Sequence, residues 1–228
     1  MKLISYLSKY KLLSFFEDEL INSIIIRNID YFIFEKINEQ NIFFKYLNKI
    51  YMRCHNLIVY LPDEYLTKII QISNNEDCDF NIWDLIHNLM LEFENTNHFK
   101  LYHIEQQIDI DFYLNLIDSN NFDIVGSIFN IFSICIINFP DFYDEFAMEL
   151  WEKIMINYNY YPINIKSKAI NCLSHLLNPI LNLPDDIVCD CRLIDIIINH
   201  LYINDFEDTV NLLFILQILI FISIKTDQ

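Results

Sequence analysis

The sequence predicts an all-α protein in which helices stack into one continuous right-handed solenoid. Three observations lead to this fold class. Hydrophobic residues make up 54% of the 228 residues, so the chain can bury a sizeable core. It contains one glycine, which excludes β-sandwiches and barrels, with their many glycine turns, and the glycine-rich phosphate loops of nucleotide-binding folds. A helical apolar pattern also recurs along the chain at 39–45 residue spacing.

The recurring pattern places apolar residues at offsets 0, 4, 7, 8 and 11, which form one face of an α-helix. Its five copies begin at Phe43, Ile82, Ile124, Ile165 and Val210, and the last has one polar exception, Gln217. A shorter helical stretch and a polar turn precede each of the last four copies. One such helix pair cannot bury its own apolar face, whereas stacked pairs share a continuous core. The pattern therefore predicts about four to five repeats of helix, turn and longer helix.

Proline followed by aspartate marks three of the predicted helix starts. The pairs are Pro62-Asp63, Pro140-Asp141 and Pro184-Asp185, and their prolines are 78 and 44 residues apart. Proline ends the preceding helix, and aspartate caps the next helix or complements its dipole. The spacing agrees with the period of the apolar pattern, because 78 is close to two repeats of 39 residues.

The segment FPDFYDEFAMELWEKIMINYNYYPINIKSKAINCLSHLL, residues 139–177, resembles an armadillo repeat and more loosely a HEAT repeat. The resemblance covers roughly residues 40–228 of a single domain spanning residues 1–228, and residues 1–40 are expected to form a divergent N-terminal cap. It implies a non-catalytic protein-binding scaffold or adaptor. In such proteins the longer helix of each repeat lines a concave groove.

The resemblance also suggests which residues would line the groove. Importin-alpha-like members hold an extended basic peptide with Trp at offset 6 of the longer helix and Asn at offset 10, and no repeat here has that pair. Offset 6 instead holds Asn88, Asn130 and Asn171 in three successive repeats, and offset 10 holds Glu92 and His175 in two of them. Asparagine amides can both donate to and accept from a peptide backbone.

Two alternatives to this groove assignment stay open. The asparagine row can arise by coincidence, because 26 of the 228 residues are asparagine. The protein can also be an importin-alpha-like nuclear-transport adaptor with a degenerate cargo site. Trp83 and Trp151 lie outside the groove positions, and we expect both in the core.

The net charge of −17 is concentrated in the middle of the chain. Residues 69–152 contain sixteen acidic side chains and only Lys100 as a basic one. This field repels phosphate backbones, so we expect no nucleic-acid binding, and it attracts a basic protein or peptide partner. A solvated acidic face that keeps an apolar protein soluble is the alternative.

Catalytic, metal and cofactor sites have little support. Cys189-Asp190-Cys191 is followed by no second cysteine or histidine pair at zinc spacing, so we expect structural thiols and neither metal nor cofactor. The six histidines fall in no nucleophile motif, and we expect no enzyme activity. The N-terminal segment has no cleavable-signal pattern, which favours the cytoplasm, with the nucleus as a second possibility.

Two apolar runs raise the question of membrane insertion. Ile124–Phe139 and Val210–Ile224 are each shorter than the roughly 20 residues that cross a bilayer. We expect both to be buried solenoid helices. A tail anchor formed by the second run is the alternative.

Overall fold

The computed structural model describes residues 61–75, 78, 80–177 and 191–203, and ten scattered positions nearer the two ends of the chain. All regular structure in these residues is helical, and they include no strand, which confirms the all-α class. The α-helices are α1 Asp63–Ser73, α2 Asn81–Thr96, α3 His98–Glu105, α4 Ile110–Leu116, α5 Phe122–Asn138, α6 Pro140–Asn157, α7 Ile163–Leu176 and α8 Cys191–Ile203. A 3₁₀ turn, Tyr158–Tyr160, follows α6.

The chain divides into two compact units, residues 1–109 and 110–228. In the first unit, α1, α2 and α3 pack against one another. In the second, α4 packs on α5 and α6, α6 packs on α5 and α7, and α7 contacts α8. The packing of α5 on α7 is the most extensive among the described helices. A single domain over residues 1–228 stays a prediction.

The apolar face predicted from the sequence is the buried face of three helices. The copies of the pattern that begin at Ile82, Ile124 and Ile165 lie in α2, α5 and α7, and the residues at all their apolar offsets are buried. The helical stretches before the copies are also present, as α1, α4, α6 and α8. The predicted order of a shorter and then a longer helix is wrong for one pair, because α6 has 18 residues and α7 has 14. The copies at Phe43 and Val210 fall largely outside the described residues, and the predicted cap, residues 1–40, lies wholly outside them.

Proline and aspartate start two helices as predicted. Pro62 is the N-cap residue of α1, and Asp63 lies in the first turn. Pro140 opens α6, followed by Asp141. The acidic side chains are placed where they complement the positive end of the helix dipole. Pro184-Asp185 lies outside the described residues.

Helix α3 was not predicted from the sequence. It buries Leu101 and Ile104 but exposes Phe99 and Tyr102, so large apolar residues occur on opposite faces and hide the helical period. The available signal was Asn97, whose side-chain oxygen accepts a hydrogen bond from the backbone N–H of Lys100 at 3.2 Å. An asparagine at this position is a favoured N-cap.

The two tryptophans and the first apolar run are in the core, as expected. Trp83 and Trp151 are fully buried. The run Ile124–Phe139 coincides closely with α5, which packs against α4, α6 and α7. In the described part of the chain, no helix is both long enough and apolar enough to span a membrane. The run Val210–Ile224 lies mostly outside that part.

The side chains of Ile165 and Lys168 on α7 approach closely to Gly126 of α5, the one glycine of the chain. A Cβ atom built there would lie 2.7 Å from Cδ1 of Ile165 and 3.0 Å from Nζ of Lys168. The two alanines of the chain, Ala147 on α6 and Ala169 on α7, are also buried. The three smallest side chains of a bulky sequence are therefore all in the packed interior of the second unit.

Side-chain volume at Gly126 should control the stability of the second unit. Gly126→Leu should lower the unfolding free energy by about 2 kcal/mol, because overpacking displaces Ile165 and Lys168. Gly126→Ala should stay within about 1 kcal/mol of the wild type, because its helix propensity offsets the small shift of the Ile165 methyl group. Urea unfolding followed by circular dichroism measures both, and equal stability of the two variants would contradict the close approach.

The described cysteines differ in burial. Cys135 and Cys172 are buried free thiols, as expected, whereas Cys191 is exposed on α8. Burial raises the pKa of the Cys172 thiol to about 12, against a smaller opposing effect of its hydrogen bond with Ser133. Because the thiolate is the reactive form, Cys172 should be nearly inert in the folded protein.

Alkylation should distinguish these thiols. Iodoacetamide at pH 8.5 should modify Cys191 within minutes, and Cys135 and Cys172 only after urea is added, as read by peptide mass spectrometry. Cys191→Ser should leave the protection of Cys135 and Cys172 unchanged. Rapid labelling of Cys172 in the folded protein would contradict its burial.

Candidate peptide-binding surface

The five residues predicted to line a groove lie on three helices, and all five are half-buried. Asn88 and Glu92 are on α2 in the first unit, whereas Asn130 on α5, and Asn171 and His175 on α7, belong to the second. The helical spacing is as predicted, with Glu92 one turn after Asn88 and His175 one turn after Asn171.

Asn88 takes part in a polar network centred on Asn48. Nδ2 of Asn48 donates to the backbone oxygen of Asn81 at 3.0 Å and to Oδ2 of Asp84 at 2.9 Å. Its Oδ1 accepts from Nδ2 of Asn88 at 3.2 Å. A carboxylate only accepts hydrogen bonds, so Asp84 fixes the orientation of the Asn48 amide. One N–H of Asn88 is thus engaged within the protein.

Asn130 and Asn171 lie at about the same height along α5 and α7, which pack against each other. Gly126 of α5 faces Lys168 of α7, and Ser133 further along α5 bonds Cys172 further along α7. Because residues further along α5 contact residues further along α7, the two helices are parallel. Asn130 lies between Gly126 and Ser133, and Asn171 lies between Lys168 and Cys172.

We call this stretch of the two helices, which contains Asn130 and Asn171, the α5–α7 seam. The amide oxygen of Asn171 is buried there and has no hydrogen-bond partner among the described residues. Its backbone oxygen accepts from the Ser174 hydroxyl at 2.7 Å.

Glu92 and His175 both interact with other groups of the protein. The backbone oxygen of Glu92 accepts from the Thr96 hydroxyl at 2.7 Å, near the C-terminus of α2. His175 lies in the last turn of α7, where a positive charge would complement the helix dipole.

Lys100, Lys153 and Arg192 each interact with a neighbouring group of the protein. Nζ of Lys100 donates to the backbone oxygen of Leu61 and lies 5.5 Å from the centre of the Phe93 ring. Burial lowers the pKa of Lys100, although nearby Asp63 partly opposes this.

In the second unit, Lys153 lies 2.6 Å from Asp118, and Arg192 lies 3.1 Å from Glu152. Each pair neutralises one carboxylate. The unit still holds a clear excess of acidic residues, because residues 110–228 contain sixteen acidic and only five basic side chains.

Polar side chains that join non-consecutive parts of each unit were not predicted from the sequence. The Thr67 hydroxyl lies 3.0 Å from Nε2 of His103, 36 positions away, and Nδ2 of Asn74 donates to the backbone oxygen of Gln107, 33 positions away. Other such hydrogen bonds of each unit have the same range, 33–40 positions. The available signal was the presence of polar residues at separations close to the 39–45 residue spacing of the apolar pattern.

Comparison with protein-family models, with curated proteins and with solved structures finds no match for this chain.

The Asn48 network predicts different structural roles for its two asparagines. Asn48→Ala should lower the unfolding free energy by about 3 kcal/mol, since it removes three hydrogen bonds of about 1 kcal/mol each, to Asn81, Asp84 and Asn88. Asn88→Ala should cost about 1 kcal/mol, because only one hydrogen bond is lost. Chemical unfolding measures both, and a larger cost at Asn88 would contradict the central position of Asn48.

Proposed function

We propose that this protein is a non-catalytic scaffold or adaptor of the armadillo or HEAT type, which binds an extended basic segment of a partner protein along its longer helices. The proposal includes four to five repeats in one right-handed superhelix acting in the cytoplasm. The observation that carries it is the recurring separation of 33–40 positions between hydrogen-bonded side chains. In a solenoid, each repeat contacts its neighbours in this way.

The direction of the helices supports the same architecture. In a stack of helix–turn–helix repeats, neighbouring longer helices run in the same direction, because each is followed by a helix that returns. Helices α5 and α7 meet this requirement, and α6 between them packs on both.

The α5–α7 seam supports an extended ligand rather than a small molecule. Asn130 and Asn171 are half-buried and lie in equivalent positions of two parallel helices. Neighbouring helices pack at about 8–10 Å, which is close to the span of two or three residues of extended chain. Amide groups at that interval can bond the backbone of an extended peptide and set its register.

The electrostatics favour a basic ligand. With Lys153 and Arg192 in ion pairs, the excess of carboxylates in the second unit stays uncompensated. Such a field speeds the capture of a positively charged segment and weakens with added salt.

A lysine-rich peptide of the nuclear-localisation type should bind to the wild-type protein, and its affinity should fall as the salt concentration is raised. Asn130→Ala and Asn171→Ala should each weaken it about fivefold, which corresponds to one hydrogen bond of about 1 kcal/mol. Fluorescence anisotropy with labelled peptide measures the dissociation constant. Asn115→Ala, an exposed asparagine on α4, is the matched control and should leave affinity unchanged.

The measurements test the ligand class and the binding site separately. If the wild-type protein does not bind the basic peptide, or binds an acidic peptide equally well, the proposed ligand class is wrong. If neither Asn130→Ala nor Asn171→Ala changes the affinity, the seam is not the binding site. Thermal unfolding of each variant checks that lost affinity does not reflect lost structure.

A further inference from the structure

Large apolar side chains are exposed where α2 turns into α3. Leu91 on α2 is 44% exposed, and Phe99 and Tyr102 on α3 are 73% and 48% exposed. Phe99 and Tyr102 are three residues apart, so they share one face of α3. Only Asn97 separates the two helices, and its hydrogen bond to the Lys100 N–H fixes the turn. We call these residues, with Glu92 and Glu94, the α2–α3 corner.

The corner is negative as well as apolar. Helix α2 has no basic residue in its last turn, where the backbone carbonyls carry a partial negative charge. Glu92 and Glu94 lie near the same end and add to this field. The nearby Lys100 is committed to the Leu61 carbonyl and the Phe93 ring.

These features fit one kind of occupant. Lysine and arginine side chains lay their apolar stems on hydrophobic surface and place their charge over aromatic rings or against carboxylates. An acidic segment would be repelled. A second copy of this chain is disfavoured for the same reason, because each copy carries a net charge of −17.

We propose that the α2–α3 corner is a docking surface for lysine or arginine side chains of a partner protein, with Phe99 and Tyr102 as the aromatic anchors. The inference rests on the proposed function for the sign of the ligand's charge. It adds a second contact in the first unit, outside the predicted asparagine row.

The second unit provides a matched control surface. Tyr160 is 78% exposed beside the turn between α6 and α7, with Ile163 also exposed. The nearest charged positions in sequence there are the basic residues Lys153 and Lys166. This surface is aromatic and apolar, and the carboxylate of Asp118 close to it is held by Lys153 at 2.6 Å and by Asn157 at 2.9 Å, so it should attract cations less than the corner does.

The test uses the full chain and a labelled synthetic peptide in which lysine alternates with leucine. Replacing both Phe99 and Tyr102 by serine should weaken binding by about tenfold, which corresponds to about 1.4 kcal/mol, since two aromatic contacts with cationic side chains are lost. Tyr160→Ser should change the dissociation constant by less than about twofold, as expected of a residue outside the site. Phe99→Leu keeps apolar area but removes the ring, so it should lose part of the affinity.

The outcomes separate this inference from the proposed function. Peptide binding that Asn130→Ala weakens but the Phe99 and Tyr102 double variant does not affect overturns the corner alone. Equal losses for Tyr160→Ser and the double variant overturn it too, because they indicate unspecific apolar adhesion. Failure of the wild type to bind overturns both proposals. Binding of the charge-reversed glutamate peptide at similar strength overturns the assignment of a basic partner.

Discussion

The packing of α5 against α7 is the contact on which the second unit depends most, because it is the most extensive among the described helices. Gly126 leaves space that the ends of the Ile165 and Lys168 side chains occupy. The two helices are parallel, and Ser133 lies next to Cys172. Asn130 and Asn171 lie at about the same height along this pair of helices, so the proposed peptide contacts depend on its packing.

Much of the fold could be predicted because burial selects apolar residues at fixed offsets. The buried faces of α2, α5 and α7 follow the pattern at every position, and proline with aspartate marks two helix starts. Helix α3 escaped prediction because Phe99 and Tyr102 remain in solvent while Leu101 and Ile104 are buried, so hydrophobicity alone does not reveal its face.

The candidate site could be predicted less well than the fold. Offsets within a repeat placed Asn88, Asn130 and Asn171 on equivalent helical positions, because the helix has a fixed pitch. They could not show that Asn88 donates to Asn48, since that contact depends on how neighbouring helices pack. The buried oxygen of Asn171 was equally hidden, because it depends on a side-chain rotamer rather than on spacing.

The recurring separation of hydrogen-bonded partners also bears on how the chain reaches its fold. Bonds such as those from Asn74 to Gln107 and from Arg192 to Glu152 close loops of 33 and 40 residues. The entropy lost on closing a loop grows only with the logarithm of its length, so each closure costs nearly the same. Because no single closure dominates this cost, folding should begin where one closure buries the most apolar surface. The extensively packed α5–α7 pair is then the natural starting point, and the synthesis of α7 sets the earliest moment at which that nucleus can form.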